Sequence, residues 1–302
     1  MNKPLVSICI PTYNGQKFIA EAMDAAIKQT YRPLEIVVSD DASKDATLEI
    51  IKSFQNKTDI PIHIFTHKPS GIGANWNHSI KKSNGEYIKF LFQDDTMESN
   101  CIEKMVKYAV KSNNIGLVYS KRNFIYNEND KKNIEWIKLF GNLHLRWHKN
   151  NIVDGKINKG VDLLKDDSLL SFPENKIGEP TAVLLKKEVF EKVGYFSENL
   201  RQTLDIEFWY RLMKHYDIIF IDTKLVSFRL HEMQTTSVNK NEKLNEEDLF
   251  LKSMYDNLFW KLSLSTKIKL FFKFHLIGRF PKKVFNLAKR IKRKLLLTSG
   301  NS

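Results

Sequence analysis

Between residues 5 and 95 one pattern recurs: a short apolar run, a polar turn, then a stretch with helical spacing. Val6-Ser7-Ile8-Cys9-Ile10 reads as a buried strand stopped at Pro11, followed by a helix over 18–29 with Phe18, Ala22, Ala25 and Ala26 on one face. Leu34–Val38 and a helix over 46–54 repeat the unit; Ile62–Phe65, a helix over 75–83 and Tyr87–Phe92 continue it. Strands alternating with helices require crossover connections and a mostly parallel sheet. Such a sheet binds ligands beyond the carboxyl ends of its strands.

The segments following those strands are therefore the ones to read for chemistry. They are Pro11-Thr12-Tyr13-Asn14-Gly15, Ser39-Asp40-Asp41-Ala42-Ser43 and Gln93-Asp94-Asp95. A single acid after a strand is commonly a helix cap, and Asp45 is read that way. Two Asp-Asp pairs, each directly behind an apolar strand, are not accounted for by capping. Carboxylates repel phosphate, so a phosphate-bearing ligand there implies a bridging cation. A Gly-x-Gly-x-x-Gly turn is absent after the first strand, which excludes a dinucleotide-dependent oxidoreductase of the usual kind.

Charge separates the chain into two parts. Lys plus Arg exceed Asp plus Glu by 48 − 35 = 13, yet residues 261–302 hold twelve basic and no acidic residues, leaving 36 − 35 = +1 for residues 1–260. A neutral body with a basic, aliphatic tail is not a nucleic-acid binder. The two cysteines, Cys9 and Cys101, form no disulfide framework or cysteine-rich zinc site and fit a reducing compartment. Leu5–Ile10 is too short for a signal-peptide core, and Leu262–Ile277 is broken by Lys267, Lys269 and Lys273. A soluble or peripheral cytoplasmic protein is expected.

Residues 121–177 are irregular, rich in Lys, Asn and Asp, and carry Trp136, Trp147, His144 and His148. The histidines are spaced i,i+4 without an acidic third ligand beside them, so a solvated or partner-facing helix is expected rather than a metal site. Regular pattern resumes with a strand over 181–185, a helix over 186–193, a helix over 204–215 and a strand over 218–221.

With those segments in place the chain resembles the family 2 glycosyltransferases of GT-A fold that build bacterial surface polysaccharides, such as O-antigen and capsule. The likeness covers roughly residues 4–232 and rests on VSICIPTYNG (6–15), QTYRPLEIVVSDDASKD (29–45), GIGANWNHSI (71–80), GEYIKFLFQDD (85–95), GEPTAVLLKKEVFEKVGYF (178–196), LDIEFWYRL (204–212) and FRLHEMQTTS (228–237), in the family's order. The resemblance implies an α/β GT-A domain over 1–232, with a nucleotide-sugar half (1–110) and an acceptor half (111–232), and a helical basic extension over 233–302.

By that resemblance Pro11, Thr12, Tyr13 and Asn14 line the base and ribose pocket. Asp40 bonds the base, with Asp41 shaping the turn beside it. A carboxylate accepting from an imide N–H suits uracil or thymine, and guanine too, so the base stays open. Asn75 or Asn77 reaches ribose or phosphate, Asp94 reaches the ribose or a metal-bound water, Glu179 a sugar hydroxyl, and Arg229 either the diphosphate or a surface acid. Asp95 and His231 hold Mg²⁺ or Mn²⁺. Phe92 stands where many relatives carry a further Asp, so a literal Asp-x-Asp is missing. Asp205 takes the position of the catalytic base, with Leu204 in place of the customary Glu. Glu207 is the rival, but two residues apart on a helix the two acids cannot share one face. A metal-dependent inverting transferase follows, moving a sugar from a UDP- or dTDP-sugar to a glycan or lipid-linked acceptor. The alternative is a non-catalytic nucleotide-sugar or glycan-binding module on a degenerate transferase fold, which Phe92 and Leu204 keep open.

From Pro281 onward Val284, Leu287, Ala288, Ile291 and Leu295 fall at helical spacing among lysines and arginines, and Phe271, Phe272 and Phe274 lie just upstream. This is the pattern of a helix in a membrane interface. An anionic membrane surface, on the inner face of the cell membrane, is the expected partner of the basic tail. Trp136 and Trp147 are candidates for stacking on acceptor sugars.

Overall fold

The computed structural model describes residues 3–232 and 246–275. Its centre is one sheet whose first three strands are β1 (Val6–Thr12), β2 (Leu34–Asp40) and β3 (Ile62–Thr66); α1 (Ile19–Ile27) and α2 (Thr47–Lys52) are the crossovers between them. Then come α3 (Ile72–Lys82), β4 (Tyr87–Phe90), β5 (Thr96–Met97), α4 (Cys101–Ala109) and β6 (Ile115–Ile125). The rest of the first 232 residues adds α5 (Lys131–Phe140), β7 (Ile157–Asn158), α6 (Gly160–Leu163), β8 (Val183–Lys186), α7 (Val189–Val193), α8 (Leu204–Met213) and β9 (Asp217–Arg229). Past the undescribed residues lie α9 (Glu246–Leu258) and α10 (Leu264–Phe274).

The strand order is β3-β2-β1-β4-β8-β6-β9-β5, with β7 also on β9. β1 to β4, β6 and β9 run one way, while β8, β5 and β7 run against them. Every residue of β1 and β2 is buried because helices cover both faces, which is why these strands read as continuous apolar runs rather than alternating ones. Side chains from the two faces form two apolar layers, one containing Val37, Phe90, Phe208 and Trp209, the other Ile8, Ile36, Leu91 and Val118.

Two long strands depart from the sequence reading. β6 was not legible and enters the segment read as irregular, and β9 runs for 13 residues where only 218–221 was expected. The cause is a bulged register between them at Ser120–Arg122, opposite Asp222-Thr223-Lys224, which point into solvent and break the apolar pattern. α3 begins at Ile72, three residues before its expected start, so Asn75 and Asn77 lie within a helix rather than at its cap. No helix spans His144 and His148: a short 3₁₀ turn holds Leu143–Leu145, and the His144 ring stacks on Phe220 at 4.4 Å. Burial lowers the pKa of His144, with Lys121 close by adding to the effect.

Residue 232 is not a break in the core. Phe250, Met254, Leu258, Leu262 and Leu270 from α9, α10 and their connection pack into the same apolar layer as α8. The helix expected from Pro281 and residues 233–237 of the last motif lie outside the described residues. Among the described residues no helix is long and apolar enough to cross a membrane.

Candidate active site

Parallel pairing brings the ends of β1 and β2 level, Thr12 opposite Asp40, and β4 stops beside β1. The two-residue strand β5 pairs antiparallel with β9, Thr96 opposite Ser227. That contact sets Asp94 and Asp95 against residues 229–231, more than 130 positions away in the chain. Beyond these ends opens a cavity of about 460 Å³ bordered by Thr12, Tyr13, Asp41, Asn75, Phe92, Asp94, Glu179, Arg201 and Asp205, among others. It lies at the strand edge where an open α/β sheet places its ligand.

On the nucleotide side, Asp40 is fully buried and does not reach the cavity. Its Oδ1 accepts from Thr12 Oγ1 (2.8 Å) and Ser43 Oγ (2.5 Å), and its Oδ2 from Ser43 N–H (2.8 Å). The aspartate on the cavity wall is Asp41, whose oxygens accept from Ser70 N–H (2.9 Å) and Gly71 N–H (3.3 Å). Of the pair, Asp41 rather than Asp40 meets the cavity. Asn14 also stays outside: its backbone is left-handed (φ 47°), and its side chain accepts from Lys44 N–H to brace the following turn. Pro11, Thr12 and Tyr13 do border the cavity.

Asn75 lines the cavity with its Nδ2 donating to the Thr12 carbonyl (3.1 Å). Asn77 does not line it: Nδ2 donates to the Phe196 carbonyl and Oδ1 accepts from Phe196 N–H, a two-way tie that consumes the amide. Gln93 makes a similar tie to Tyr13, donating to its carbonyl (3.1 Å) and accepting from its N–H (2.9 Å). A Cβ on Gly15 would come within 2.3 Å of that Gln93 oxygen, so a larger residue there would displace the Gln93 side chain from this tie.

Where a further Asp was missing, the Phe92 ring stacks on Trp76 at 4.9 Å, and both line the cavity as an aromatic wall. Asp94 faces the cavity, and its Oδ2 lies 2.9 Å from His231 Nε2. Asp95 turns beneath it, 1% exposed, accepting from Thr181 Oγ1 (2.6 Å) and Arg229 N–H (3.0 Å). Burial, and then the neighbouring charge of Asp94, push the Asp95 carboxyl well above the usual range. The expected metal ligand Asp95 is thus one layer back from Asp94. Behind both, the buried ammonium of Lys89 donates to the carbonyls of Phe90 and Thr181. Arg229 is committed elsewhere than a diphosphate: its guanidinium bonds Glu21 (2.5 Å) and the Asp94 carbonyl (2.8 Å) and lies over the Phe18 ring. Of the two roles open to it, the surface acid is the one observed.

Opposite stands Asp205 in the first turn of α8. The cap position of that helix is Thr203, two residues earlier. Asp205 accepts from Ile206 N–H (2.8 Å) and Asn175 Nδ2 (3.2 Å). Burial pushes its pKa up to about 7, with the charge of Glu179 adding to the rise. Asn175 supplies the polar neighbour that Leu204 removes, and no motif pointed to it. Glu179 borders the cavity while paired with the buried Arg122. Glu207 is bonded to Arg211 and to Ser253, on the far side of α8, and is no rival. Trp147 is core, whereas Trp136 stacks on Phe228, itself part of the cavity wall.

The cavity wall carries four carboxylates, Asp41, Asp94, Glu179 and Asp205, and the cation Arg201. That charge balance repels a diphosphate unless a cation accompanies it. Among the described residues no three His, Cys, Asp or Glu side chains converge on one point. The pair Asp94 and His231 is a carboxylate beside an imidazole, a donor set suited to Mg²⁺ or Mn²⁺ with ligand oxygens completing the shell.

Comparison with known proteins agrees with this geometry. Residues 7–194 match Glycosyl transferase family 2, and the chain belongs to that family. An uncharacterized glycosyltransferase of Rickettsia typhi is 31% identical over 255 residues, 83% of this chain and 73% of the relative. Another, of Methanocaldococcus jannaschii, is 28% identical over 233 residues, 76% and 72% of the two chains. Among solved structures, the crystal structure of S. aureus TarS 1-349 in complex with UDP-GlcNAc superposes with a TM-score of 0.62 at 18% identity, covering 89% of this chain and 71% of that one. The mannosyltransferase PcManGT from Pyrobaculum calidifontis, in complex with GDP-Man and Mn²⁺, gives 0.54 at 17%, covering 98% and 81%. The fold is that of the GT-A transferases, and the protein is a family 2 glycosyltransferase.

Proposed function

We propose that the protein is an inverting, divalent-cation-dependent transferase that moves a sugar from a UDP- or dTDP-sugar to a glycan or lipid-linked acceptor. The pathway we assign is bacterial surface polysaccharide synthesis at the cytoplasmic face of the membrane. The observation that carries the reading is Asp205, a buried carboxyl on the cavity wall with its pKa raised to about 7. A base ionising near the working pH combines the right protonation state with useful basicity. Asp205 accepts the proton of the acceptor hydroxyl as that oxygen forms a bond to C1 of the donor sugar. The bond from C1 to the diphosphate oxygen breaks on the opposite side and its electron pair leaves with the nucleoside diphosphate. One displacement inverts C1.

The rest of the wall binds and orients. Asp41 is placed to accept an imide N–H of the base, which uracil and thymine both offer. Trp76 and Phe92 give the donor an apolar wall, and Glu179 a carboxylate for a sugar hydroxyl. Asp94 and His231 would hold Mg²⁺ or Mn²⁺, which supplies Lewis-acid stabilisation of the leaving diphosphate's charge. TarS with UDP-GlcNAc and PcManGT with GDP-Man and Mn²⁺ support a nucleotide-sugar donor and a divalent cation without choosing the base.

The test is release of free nucleotide from a panel of UDP-, dTDP- and GDP-sugars, with Mn²⁺ or with chelator, for wild type and Asp205→Asn. Thermal stabilisation by each donor is read in parallel. Metal-dependent release from one donor, lost in the variant, is the expected result. Stabilisation without turnover against lipid-linked and free glycan acceptors would favour the binding-module alternative, and no stabilisation by any donor would overturn the reading.

A further inference from the structure

α10 presents two apolar faces, and only one is used by the fold. Thr266 and Leu270 are buried against the body. On the other side Leu264, Ile268 and Phe272 are 73%, 48% and 62% exposed, and Trp260, in the turn leading into the helix, is 85% exposed. At about 100° per residue, positions 264, 268 and 272 fall within one arc, with Lys267 on one border and Lys269 on the other. Among the described residues, these three large apolar side chains, spaced by four and exposed, have no packing role in the core.

We propose that this face of α10, with Trp260, docks the enzyme on an anionic lipid bilayer. The apolar arc enters the headgroup boundary, while Lys267 and Lys269 meet lipid phosphates at its edges. Charge selects this occupant. Residues 261–302 contain no acid, and eight of their basic residues follow position 275. A second copy of the same face, packed about a two-fold axis, would set its lysine rows against each other, so self-association through this surface is disfavoured. The tail was read as the anchor from its sequence; here the anchoring face belongs to a helix already packed into the catalytic body. The same helix stands one cavity away from the active site: Lys269, Leu270 and Lys273 border a second cavity with Gln202, and Gln202 also borders the catalytic cavity. A bilayer against α10 therefore lies beside the cleft. This deepens the proposed use of a lipid-linked acceptor and rests on that reading for its purpose, though not for its measurement.

The experiment is co-sedimentation of the full chain with vesicles of phosphatidylcholine, alone or mixed with phosphatidylglycerol, without any nucleotide. It compares wild type with the triple variant Leu264→Ser, Ile268→Ser, Phe272→Ser. These side chains are exposed, so the variant keeps its melting temperature and its donor binding. Wild type is expected to bind the anionic vesicles, and the variant to bind about tenfold or more weakly. Brominated lipid should quench a part of the fluorescence that Trp260→Phe removes. Equal binding by the triple variant would overturn the proposal by assigning attachment to residues 276–302 alone. Wild type that sediments as a dimer while the variant sediments as a monomer would assign the face to self-association instead. Since no turnover is measured, failure here leaves the transferase reading standing, and failure of the transferase assay leaves this result standing.

Discussion

Asp40 and Asp205 are both buried aspartates near the cleft, one in each half of the domain, and their surroundings prepare them for opposite tasks. Asp40 accepts from three donors, a threonine hydroxyl, a serine hydroxyl and a backbone N–H. Asp205 has one backbone N–H and one longer amide contact, with Glu179 adding like charge. A carboxylate surrounded by donors is a structural anion; one buried with few donors is held ready to take a proton. Asp40 is spent on shaping a turn, and Asp205 is kept in reserve.

Removing the reserve should have the largest effect. Asp205→Asn preserves shape and abolishes proton acceptance, so kcat should fall by about 10²- to 10⁴-fold with donor affinity unchanged. In wild type, kcat/KM should fall on the acid side with an apparent pKa near 7, and the residual rate of the variant should lose that limb. The same group costs stability. An aspartate ordinarily ionises near 3.8, so between 3.8 and about 7 the folded state binds more protons than the unfolded one, and stability falls as pH rises through that window. Asp205→Asn should therefore be more stable than wild type at pH 8, by about 2 kcal/mol or more, with the gain gone below the lower value. A calorimetric pH series that shows no such convergence would mean that Asp205 titrates normally.

The next effect separates Asp94 from Asp95. Asp94→Ala and His231→Ala should each reduce turnover by about 10²-fold or more and weaken Mn²⁺ binding, read calorimetrically with nucleoside diphosphate present. Asp95→Asn keeps one acceptor oxygen for the Arg229 N–H and turns its amide N–H toward the Thr181 hydroxyl, which can accept from it, and should leave more activity than Asp94→Ala. The reverse order would return the metal to Asp95, as the motif alone suggested.

A smaller contrast lies within the Asp-Asp pair after β2. Asp41→Asn should raise the donor KM by about tenfold, the worth of one charged hydrogen bond, at nearly constant melting temperature. Asp40→Ala leaves Thr12 and Ser43 without an acceptor and should cost about 2–3 kcal/mol of stability. If Asp40→Ala instead left stability intact and raised KM alone, the base contact would belong to Asp40.

The sequence carried the first half of the sheet because strands buried on both faces are continuous apolar runs, and it carried the aspartates because parallel strands deliver their ends to one edge. It did not show which member of each Asp-Asp pair faces the ligand. Neighbouring residues after a strand point to opposite sides, and a two-residue extension of β2, from Val38 to Asp40, decides the matter. β6 and β9 were obscured by the bulge that bends them together, while Asn175, through its side-chain bond to Asp205, and Gln93, through its backbone tie to Tyr13, leave no spacing to read.

Glu246 belongs with those hidden residues, and it yields the smallest of these effects. It opens α9, beyond the stretch matched to the family, and is buried. Its carboxylate accepts from Arg201 N–H (2.5 Å), Gln202 N–H (2.9 Å) and Thr203 N–H (3.3 Å), the three residues that lead into α8. Arg201, Gln202 and Asp205 all border the catalytic cavity, so this one side chain fixes the wall on which the base stands. Glu246→Gln keeps one acceptor oxygen and turns an amide N–H toward a backbone N–H, loosening the segment without emptying the space. Loss of one such bond is worth about 1 kcal/mol, so kcat should fall on the order of fivefold. A purely structural role would lower the melting temperature and leave the kinetics of the surviving folded enzyme alone. A positioning role would lower kcat at constant donor KM and shift the acid limb of the pH profile, because the packing that raises the pKa of Asp205 is what has been loosened. Unchanged kcat and an unmoved limb, in an enzyme with a lowered melting temperature, would make the acceptor half's control of its base independent of the C-terminal helices.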